Sequence, residues 1–279
     1  MMCRQDGRMR GSMEQCRFSV IVVCYNAGDK LEKTVNSILA QDYGSYEIVV
    51  QDGCSSDGSV EKLRKAQKGN GKLHIFIEKD KGIYDAMNKA LAKAKGQVVH
   101  FLNCGDTFSS PDILKKAAVF MDKYPNAGIW YGDIFNEKTN STVASAPQIT
   151  PFVCYRNIPC HQACFYEKRL FEKRQYTISY VVRADYEHFL WCFMQEGVAP
   201  AYLGMVIAAY EGGGFSESRE NRKQDKKEHR EITRTYLGKG RCLWYGFLLA
   251  VTLAPLRRFL AESPVFSKWY NKVKAGMYK

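Results

Sequence analysis

Residues 18–59 read FSVIVVCYNAGDKLEKTVNSILAQDYGSYEIVVQDGCSSDGS and contain two apolar stretches separated by a helical pattern. Phe18 to Cys24 is a continuous apolar run, which is typical of a strand buried on both faces. Asp29 predicts the start of a helix that continues to about Gln41. Tyr46 to Val50 is predicted as the next strand. Two strands joined through a helix indicate a parallel pair covered by helices.

The alternation of strands and helices continues beyond this stretch as far as residue 131. Together these segments predict an α/β fold with a mainly parallel sheet flanked by helices. After Asn140 the alternation weakens, and the charged run 217–234 is interpreted as a solvated helix or a mobile loop. The further predicted strands are 73–77, 98–102, 129–131 and 201–210, and the further helices lie around 60–66, 83–95, 111–124 and 184–196.

Composition sets broad limits on the class of protein. The chain has 279 residues, of which 46% are hydrophobic and 25% charged, which is ordinary for a globular protein and excludes a fibrous or wholly disordered one. From Lys239 onward there are eight Lys or Arg against one acid, Glu262, so the tail contributes +7 of the net charge of +12. A basic tail indicates an anionic partner, and its aromatic and apolar residues favour lipid over nucleic acid.

Cysteine usage and the first residues bear on the compartment. Ten cysteines are scattered along the chain, and no apolar stretch of signal-peptide length lies in the first fifteen residues, so we expect reduced thiols in the cytoplasm. Cys160, His161 and Cys164 have no second ligand pair with zinc-like spacing, which disfavours a structural zinc site.

Polar residues follow the predicted strands at the edge where α/β sheets bind ligands. In the segment 51–59 a helix cap needs only one side chain, Ser56 or Asp57, so Asp52 is left to hydrogen-bond a ribose or a base N–H, with turn formation as the alternative. Asp106 follows the fourth strand, where it could share a divalent cation with a diphosphate, or cap the next helix. Neither G-x-G-x-x-G nor G-K-[ST] is present, which disfavours dinucleotide and P-loop sites.

Residues 18–59, followed by DKGIYDAMNKALAKAKGQVVHFLNCGD at 80–106, resemble the opening of family 2 glycosyltransferases, which have the GT-A fold. The resemblance is strongest to the branch that builds bacterial surface polysaccharides. It continues more thinly through HQACFY at 161–166, RADYEHFL at 183–190 and GGGFS at 212–216.

The resemblance implies roles for individual residues. Asp106 matches the last acid of the family's metal motif, for Mg²⁺ or Mn²⁺, although this chain has Asn103 and Gly105 where many relatives have acids. Asp185 matches the general base, with helix capping as the alternative role and Glu187 or His161 as the next candidates. The resemblance assigns Tyr25, Asn26, Asp52, Lys81 and Asn103 to the nucleotide, and His161, Gln162, Gly213 and Gly214 to the sugar or acceptor.

The implied reaction is inverting transfer of a sugar from a nucleoside diphosphate donor, a UDP-sugar by expectation, to a hydroxyl of a glycan or lipid-linked acceptor. Two other functions stay open at this point. A nucleotidyltransferase would normally have a Gly-rich basic segment after the first strand, which Tyr25 to Gly28 is not. A non-catalytic relative that assists assembly at a membrane is consistent with the reduced metal motif, and release of nucleoside diphosphate would separate it from an enzyme.

The predicted domain organisation has three parts. Residues 1–15 are a flexible lead-in, and 16–236 form the GT-A domain, with a nucleotide-binding half at about 18–135 and an acceptor half at about 136–216. Residues 237–279 are a basic amphipathic helical tail. Its apolar run is too short to cross a bilayer, so we expect it to lie on the anionic inner face of the cell membrane, with packing on the domain as the alternative.

Overall fold

The computed structural model describes residues 16–212, 221–251, 261, 263 and 266–276. The predicted lead-in, residues 1–15, lies outside these residues. The strands are β1 (Phe18–Cys24), β2 (Tyr46–Asp52), β3 (Leu73–Ile77), β4 (Val98–Phe101), β5 (Thr107–Phe108), β6 (Ala127–Asn136), β7 (Ser141–Val143), β8 (Cys164–Glu167) and β9 (Ala199–Tyr210). The helices are α1 (Asp29–Leu39), α2 (Ser59–Ala66), α3 (Ile83–Leu91), α4 (Ile113–Lys123), α5 (Pro151–Arg156), α6 (Lys168–Lys173), α7 (Ala184–Met194), α8 (Asn221–Val251) and α9 (Ser267–Gly276).

The strands form one mixed sheet in the order β3-β2-β1-β4-β8-β6-β9-β5, with β7 beside β6. Strands β1 to β4 pair in parallel, as the strand–helix alternation predicts. Strand β8 is antiparallel to both of its neighbours, β4 and β6. Strand β6 is parallel to its other neighbour, β9. The α/β fold is therefore confirmed, and the antiparallel β8 separates its two parallel parts.

Strand β1 lies at the centre of the core because helices cover both faces of the sheet. Val20 and Val22 face one side, where they join a cluster with Val35 of α1. Ile21 faces the other side and joins a cluster with Met87 of α3 and residues of α7. Alternate residues of one strand thus enter opposite halves of the core, as the period of a β-strand requires.

Helix α8 contains a sharp bend at Gly238, whose φ of 79° is outside the helical region. Before the bend, Glu228, Ile232 and Leu237 are buried against the domain. The predicted helix in the charged run is confirmed from Asn221 onward, but the interpretation of a solvated helix is wrong for its buried face. The sequence did not indicate this buried face, because the run is mostly polar and only a few of its side chains face the core.

The tail after the bend is partly packed and partly exposed. The Tyr245 ring packs edge-on against Phe152 and at a tilt against Tyr155. Asn271 of α9 is buried, and its side-chain amide donates to the Ser141 hydroxyl of β7 at 3.2 Å. Within the described part of the chain, no helix combines the length and the apolar character needed to span a bilayer. In the described part of the tail, the large apolar side chains that remain exposed are Leu243, Trp244, Phe247, Val251, Phe266, Trp269 and Val273.

Candidate active site

The loops after β1 and β2 are held together by hydrogen bonds at the carboxyl edge of the sheet. The backbone N–H of Asn26 donates to the Ser55 hydroxyl at 2.8 Å, and the Asn26 side-chain oxygen accepts from the N–H of Ser56 at 2.9 Å. The N–H of Gly28 donates to Asp57 at 2.8 Å. Asn26 has a φ of 48°, a conformation that asparagine tolerates better than most residues. These bonds fix the shape of the predicted nucleotide pocket.

Asp52 is buried at the end of β2 and holds its own turn. Its carboxylate accepts from both the backbone N–H and the hydroxyl of Ser55, and the Cys24 thiol lies 3.4 Å away. Turn formation, the alternative role at the sequence level, is therefore present in the structure. A contact between Asp52 and a nucleotide stays a prediction.

Glycines, rather than side chains, begin the two helices of this region. Helix α1 follows Gly28 and α2 follows Gly58, and neither start has a side-chain cap hydrogen bond. Asp29 begins α1 as predicted, and Ser56 does not cap α2. Asp57 accepts from the backbone N–H and the hydroxyl of Ser59, the first residue of α2, and from the N–H of Gly28, so it bonds the start of α2 and bridges the two loops.

Tyr25 and Lys81 are the exposed members of the predicted nucleotide site. Tyr25 is 67% exposed and lies beside Gly53, and Lys81 is exposed with its backbone N–H donating to Asp85 at 2.9 Å. A Cβ atom at Gly53 would come within 2.5 Å of the Asp80 carboxylate, so the loops after β1, β2 and β3 meet at this point. Exposed aromatic and cationic side chains there are suited to a base and a phosphate.

Asp106 follows β4 and is nearly inaccessible to solvent. Its Oδ2 accepts from the Gln162 amide at 2.8 Å, and its Oδ1 accepts from the backbone N–H of Glu211 at 3.1 Å. Burial raises the pKa of Asp106 to about 6, against the lowering effect of these hydrogen bonds. The side-chain oxygen of the neighbouring Asn103 is buried without a hydrogen-bond partner. The loop therefore presents buried oxygen atoms to the ligand edge of the sheet.

A 3-10 turn at His161–Ala163 connects Asp106 to Asp185. Gln162 bonds Asp106, while the adjacent His161 lies with Nδ1 4.0 Å from Oδ2 of Asp185. The His161 ring stacks on Phe101 with 4.9 Å between centroids, and both of its nitrogens are buried without a hydrogen-bond partner. Burial lowers the pKa of His161, which favours the neutral imidazole at this position.

Asp185 lies in the first turn of α7 and points toward α3. The Tyr84 hydroxyl donates to its Oδ1 at 2.7 Å, and burial raises the pKa of Tyr84 well above its usual value, so the phenol stays a donor. The helix begins after Arg183 without a side-chain cap hydrogen bond. The capping role considered for Asp185 thus has no supporting bond in the structure.

Glu187, a second candidate for the base, has a different environment. It is buried, and its carboxylate forms an ion pair with Arg174 at 2.6 Å and accepts from the hydroxyls of Thr177 and Tyr236. A carboxylate bound on several sides by the protein is suited to joining α7 to its neighbours, and less suited to taking a proton from a substrate.

Glu228 of α8 holds the segment that leads into α7, and sequence reasoning missed it. Its carboxylate accepts from the backbone N–H groups of Val181, Val182 and Arg183 at 2.8 to 3.0 Å. The Arg183 guanidinium also pairs with Asp225 of the same helix at 2.7 Å. No signal in the sequence connects these residues, because more than forty positions separate them.

The structure leaves part of the predicted site without a test. Gly213 and Gly214 lie outside the described residues.

Among the residues that are described, no three His, Cys, Asp or Glu side chains converge on a point where they could hold a metal ion. A magnesium ion bound to a diphosphate needs only one or two protein carboxylates, so Asp106 fits this kind of site without a three-residue cluster.

Comparison with known proteins gives the family. The Glycosyl transferase family 2 profile matches residues 19–192. A "PGL/p-HBAD biosynthesis glycosyltransferase" of Mycobacterium tuberculosis is 32% identical over 204 residues, which cover 72% of this chain and 79% of that protein. A further match of 106 residues, 38% of this chain and 42% of the relative, is 35% identical to TuaG of Bacillus subtilis, which is provisionally assigned to teichuronic acid biosynthesis.

Solved structures show the same fold at low sequence identity. TarS of S. aureus in complex with UDP-GlcNAc superimposes with a TM-score of 0.61 at 18% identity, over 79% of this chain and 71% of that one. The mannosyltransferase PcManGT of Pyrobaculum calidifontis, in complex with GDP-Man and Mn²⁺, gives 0.62 at 18% identity, over 94% and 86%. The GT-A type of fold is confirmed. The chain belongs to glycosyl transferase family 2, and it is a glycosyltransferase.

Proposed function

We propose that the protein transfers a sugar from a nucleoside diphosphate donor to a hydroxyl of a polysaccharide or lipid-linked glycan, with inversion at the anomeric carbon. The 3-10 turn at His161–Ala163 is the observation that carries the proposal. It contacts Asp106 on one side through Gln162 and approaches Asp185 on the other through His161. Two carboxylates at the ligand edge of one sheet offer separate positions for the leaving diphosphate and for a proton acceptor.

The proposed donor is a UDP-sugar. The joined loops at Asn26 and Asp52, with the exposed Tyr25 and Lys81, supply hydrogen-bonding, aromatic and cationic groups for a nucleotide. The S. aureus neighbour was solved with UDP and with UDP-GlcNAc, which supports uridine. The Pyrobaculum neighbour was solved with GDP-Man, so guanosine is the competing base to be tested.

In the proposed reaction the acceptor oxygen attacks the anomeric carbon from the face opposite the diphosphate. As the new C–O bond forms, the bond to the diphosphate oxygen breaks, and the diphosphate leaves with the bonding electrons. Oδ2 of Asp185 takes the hydroxyl proton, while Tyr84 holds Oδ1 in position. General base catalysis of this kind typically contributes ~10²–10⁴-fold. One displacement inverts the configuration and needs no covalent enzyme intermediate.

Asp106 is the residue we expect to hold a divalent metal, Mg²⁺ or Mn²⁺. The Asp106 carboxylate is buried, and the groups that donate to it, the Gln162 amide and the Glu211 backbone N–H, are neutral, so a cation would compensate its charge. When bound, such a cation neutralises charge that develops on the leaving diphosphate.

We propose that the enzyme works at the cytoplasmic face of the membrane and is held there by its tail. The exposed Leu243, Trp244, Phe247 and Val251 form one apolar face of α8, and basic residues follow it in the chain. This combination is suited to an anionic membrane surface where a lipid-linked acceptor is available.

Incubation of the purified protein with panels of UDP- and GDP-sugars, each with Mn²⁺ or with a chelator, tests the proposal. We expect a UDP-sugar to release UDP, and we expect UDP at 100 times its dissociation constant to add ~2.7 kcal/mol to the free energy of unfolding. Binding of a donor without any release, with a full set of acceptors present, would favour the non-catalytic assembly partner. An absence of binding to both nucleotide classes would contradict the proposal altogether.

A further inference from the structure

Strands β5 and β9 bring Gly105 and Glu211 to the same place. They pair antiparallel, with Thr107 opposite Ala209 and Phe108 opposite Ala208. Gly105 lies in the turn just before β5, and Glu211 directly follows β9, so the paired strands hold these two residues close together.

The Glu211 carboxylate occupies the space that a side chain at position 105 would need. A Cβ atom added to Gly105 would lie 2.3 Å from Oε2 of Glu211. Gly105 also has a φ of 101°, which other residues rarely adopt. The Glu211 carboxylate thus reaches the region beside Asp106 from the residue that follows β9.

Glu211 lies beside Asp106 and is accessible to a ligand. Its backbone N–H donates to Oδ1 of Asp106 at 3.1 Å, and its side chain is 36% exposed. The carboxylate pairs with the half-exposed Lys30 at 2.8 Å, and solvent-exposed ion pairs of this kind contribute little to stability. Stability alone is therefore a weak reason for a second acid next to the buried Asp106.

We propose that Glu211 is the second protein ligand of the divalent cation, alongside Asp106, with its carboxylate in the space that Gly105 leaves open. The proposal rests on the proposed function, since the cation also needs the donor's diphosphate oxygens. Two carboxylates with phosphate and water oxygens make an ordinary octahedral environment for Mg²⁺ or Mn²⁺. Lys30 already neutralises the Glu211 carboxylate, and a bound cation takes over that role.

Glu137 provides a matched control for Glu211. It is 39% exposed and pairs with another lysine of α1, Lys33, at 3.4 Å. Its backbone N–H donates to the carbonyl of Tyr210, next to Glu211, so both glutamates belong to the same edge of the protein. Replacing either residue by glutamine removes one negative charge and one lysine pair. Only Glu211→Gln removes the proposed ligand.

The test is Mn²⁺ binding, measured by the electron paramagnetic resonance signal of free Mn²⁺ with saturating UDP or GDP. We expect the same dissociation constant for the wild type and Glu137→Gln, and a constant at least about tenfold higher for Glu211→Gln. Glu211→Ala should show the same loss, which would exclude the new glutamine amide as its cause. Nucleotide binding without metal should be equal in all four proteins.

The experiment distinguishes a failure of the Glu211 assignment from a failure of the proposed function. If the wild type binds UDP or GDP together with Mn²⁺, and Glu211→Gln binds Mn²⁺ as tightly as Glu137→Gln, Glu211 is not a ligand and the proposed function stands. If the wild type binds neither nucleotide, with or without Mn²⁺, the proposed function fails and the assignment of Glu211 fails with it.

Discussion

At the scale of single residues, the Asp52 carboxylate accepts hydrogen bonds within its own turn and is also predicted to bind the nucleotide. We expect Asp52→Ala to weaken binding of nucleoside diphosphate at least tenfold, ~1.4 kcal/mol, in isothermal titration calorimetry. Ser55→Ala removes one of the two bonds from Ser55 and keeps the carboxylate, so it should cost less. An equal loss in both variants would assign the whole effect to the turn, and full binding by Asp52→Ala would end the assignment to the nucleotide.

His188 leads to a prediction about how the free energy of unfolding depends on pH. It is fully buried and stacks on Phe171, and burial lowers its pKa to about 3. Since the unfolded chain binds this proton near pH 6.5 and the folded chain does not, the free energy of unfolding falls as the pH drops from about 6.5 toward 3, by up to ~1.4 kcal/mol per pH unit. His188→Phe should remove that contribution from the pH slope in urea titrations. An unchanged slope would contradict it.

At the scale of secondary-structure elements, the sequence predicts strands β1 to β4 because they alternate with amphipathic helices, and β1 is a buried apolar run. Strand β5 has only two residues, and the pairing of β5 with β9 joins segments about a hundred positions apart. No local pattern encodes such pairing. For that reason motifs lead to Asp106 and Asp185 as candidates, whereas the contacts of Glu211 with Asp106 and of Tyr84 with Asp185 are visible only in the tertiary structure.

The contact between helix α8 and the segment before α7 is expected to position Asp185. We expect Glu228→Gln to lower the free energy of unfolding by about 1–3 kcal/mol, because a buried amide replaces the acceptor of three backbone N–H groups. Transfer should fall with it, since Asp185 is two residues beyond the last of these groups.

Glu231→Gln is the control for this contact. Glu231 is exposed on the same helix and accepts from the Tyr180 hydroxyl at 3.2 Å, which a glutamine can also do. Chemical denaturation and transfer assays on both variants make the comparison. If the two variants lose equal stability and activity, the contact with residues 181–183 is not what positions α7.

At the scale of the whole molecule, the tail combines a packed face with an exposed one. Tyr245 contacts Phe152 and Tyr155, so truncation after Gly238 would uncover apolar surface of the domain as well as remove the tail. Trp244→Ser with Phe247→Ser is a cleaner change, because these rings stack on each other and are 56% and 58% exposed. We expect the double variant to stay folded and to lose sedimentation with anionic vesicles, in support of the membrane role. Sedimentation equal to that of the wild type would contradict it.

The central claim is that Asp185 is the general base, and Asp185→Asn tests it most directly. Turnover and donor affinity are measured separately, with Asp112→Asn, a change at another helix start, as the control. We predict that transfer by Asp185→Asn falls ~10²–10⁴-fold while the donor dissociation constant is unchanged, because asparagine keeps the shape but cannot accept the proton. Near-normal transfer by Asp185→Asn would contradict the claim and direct the search for the base to His161.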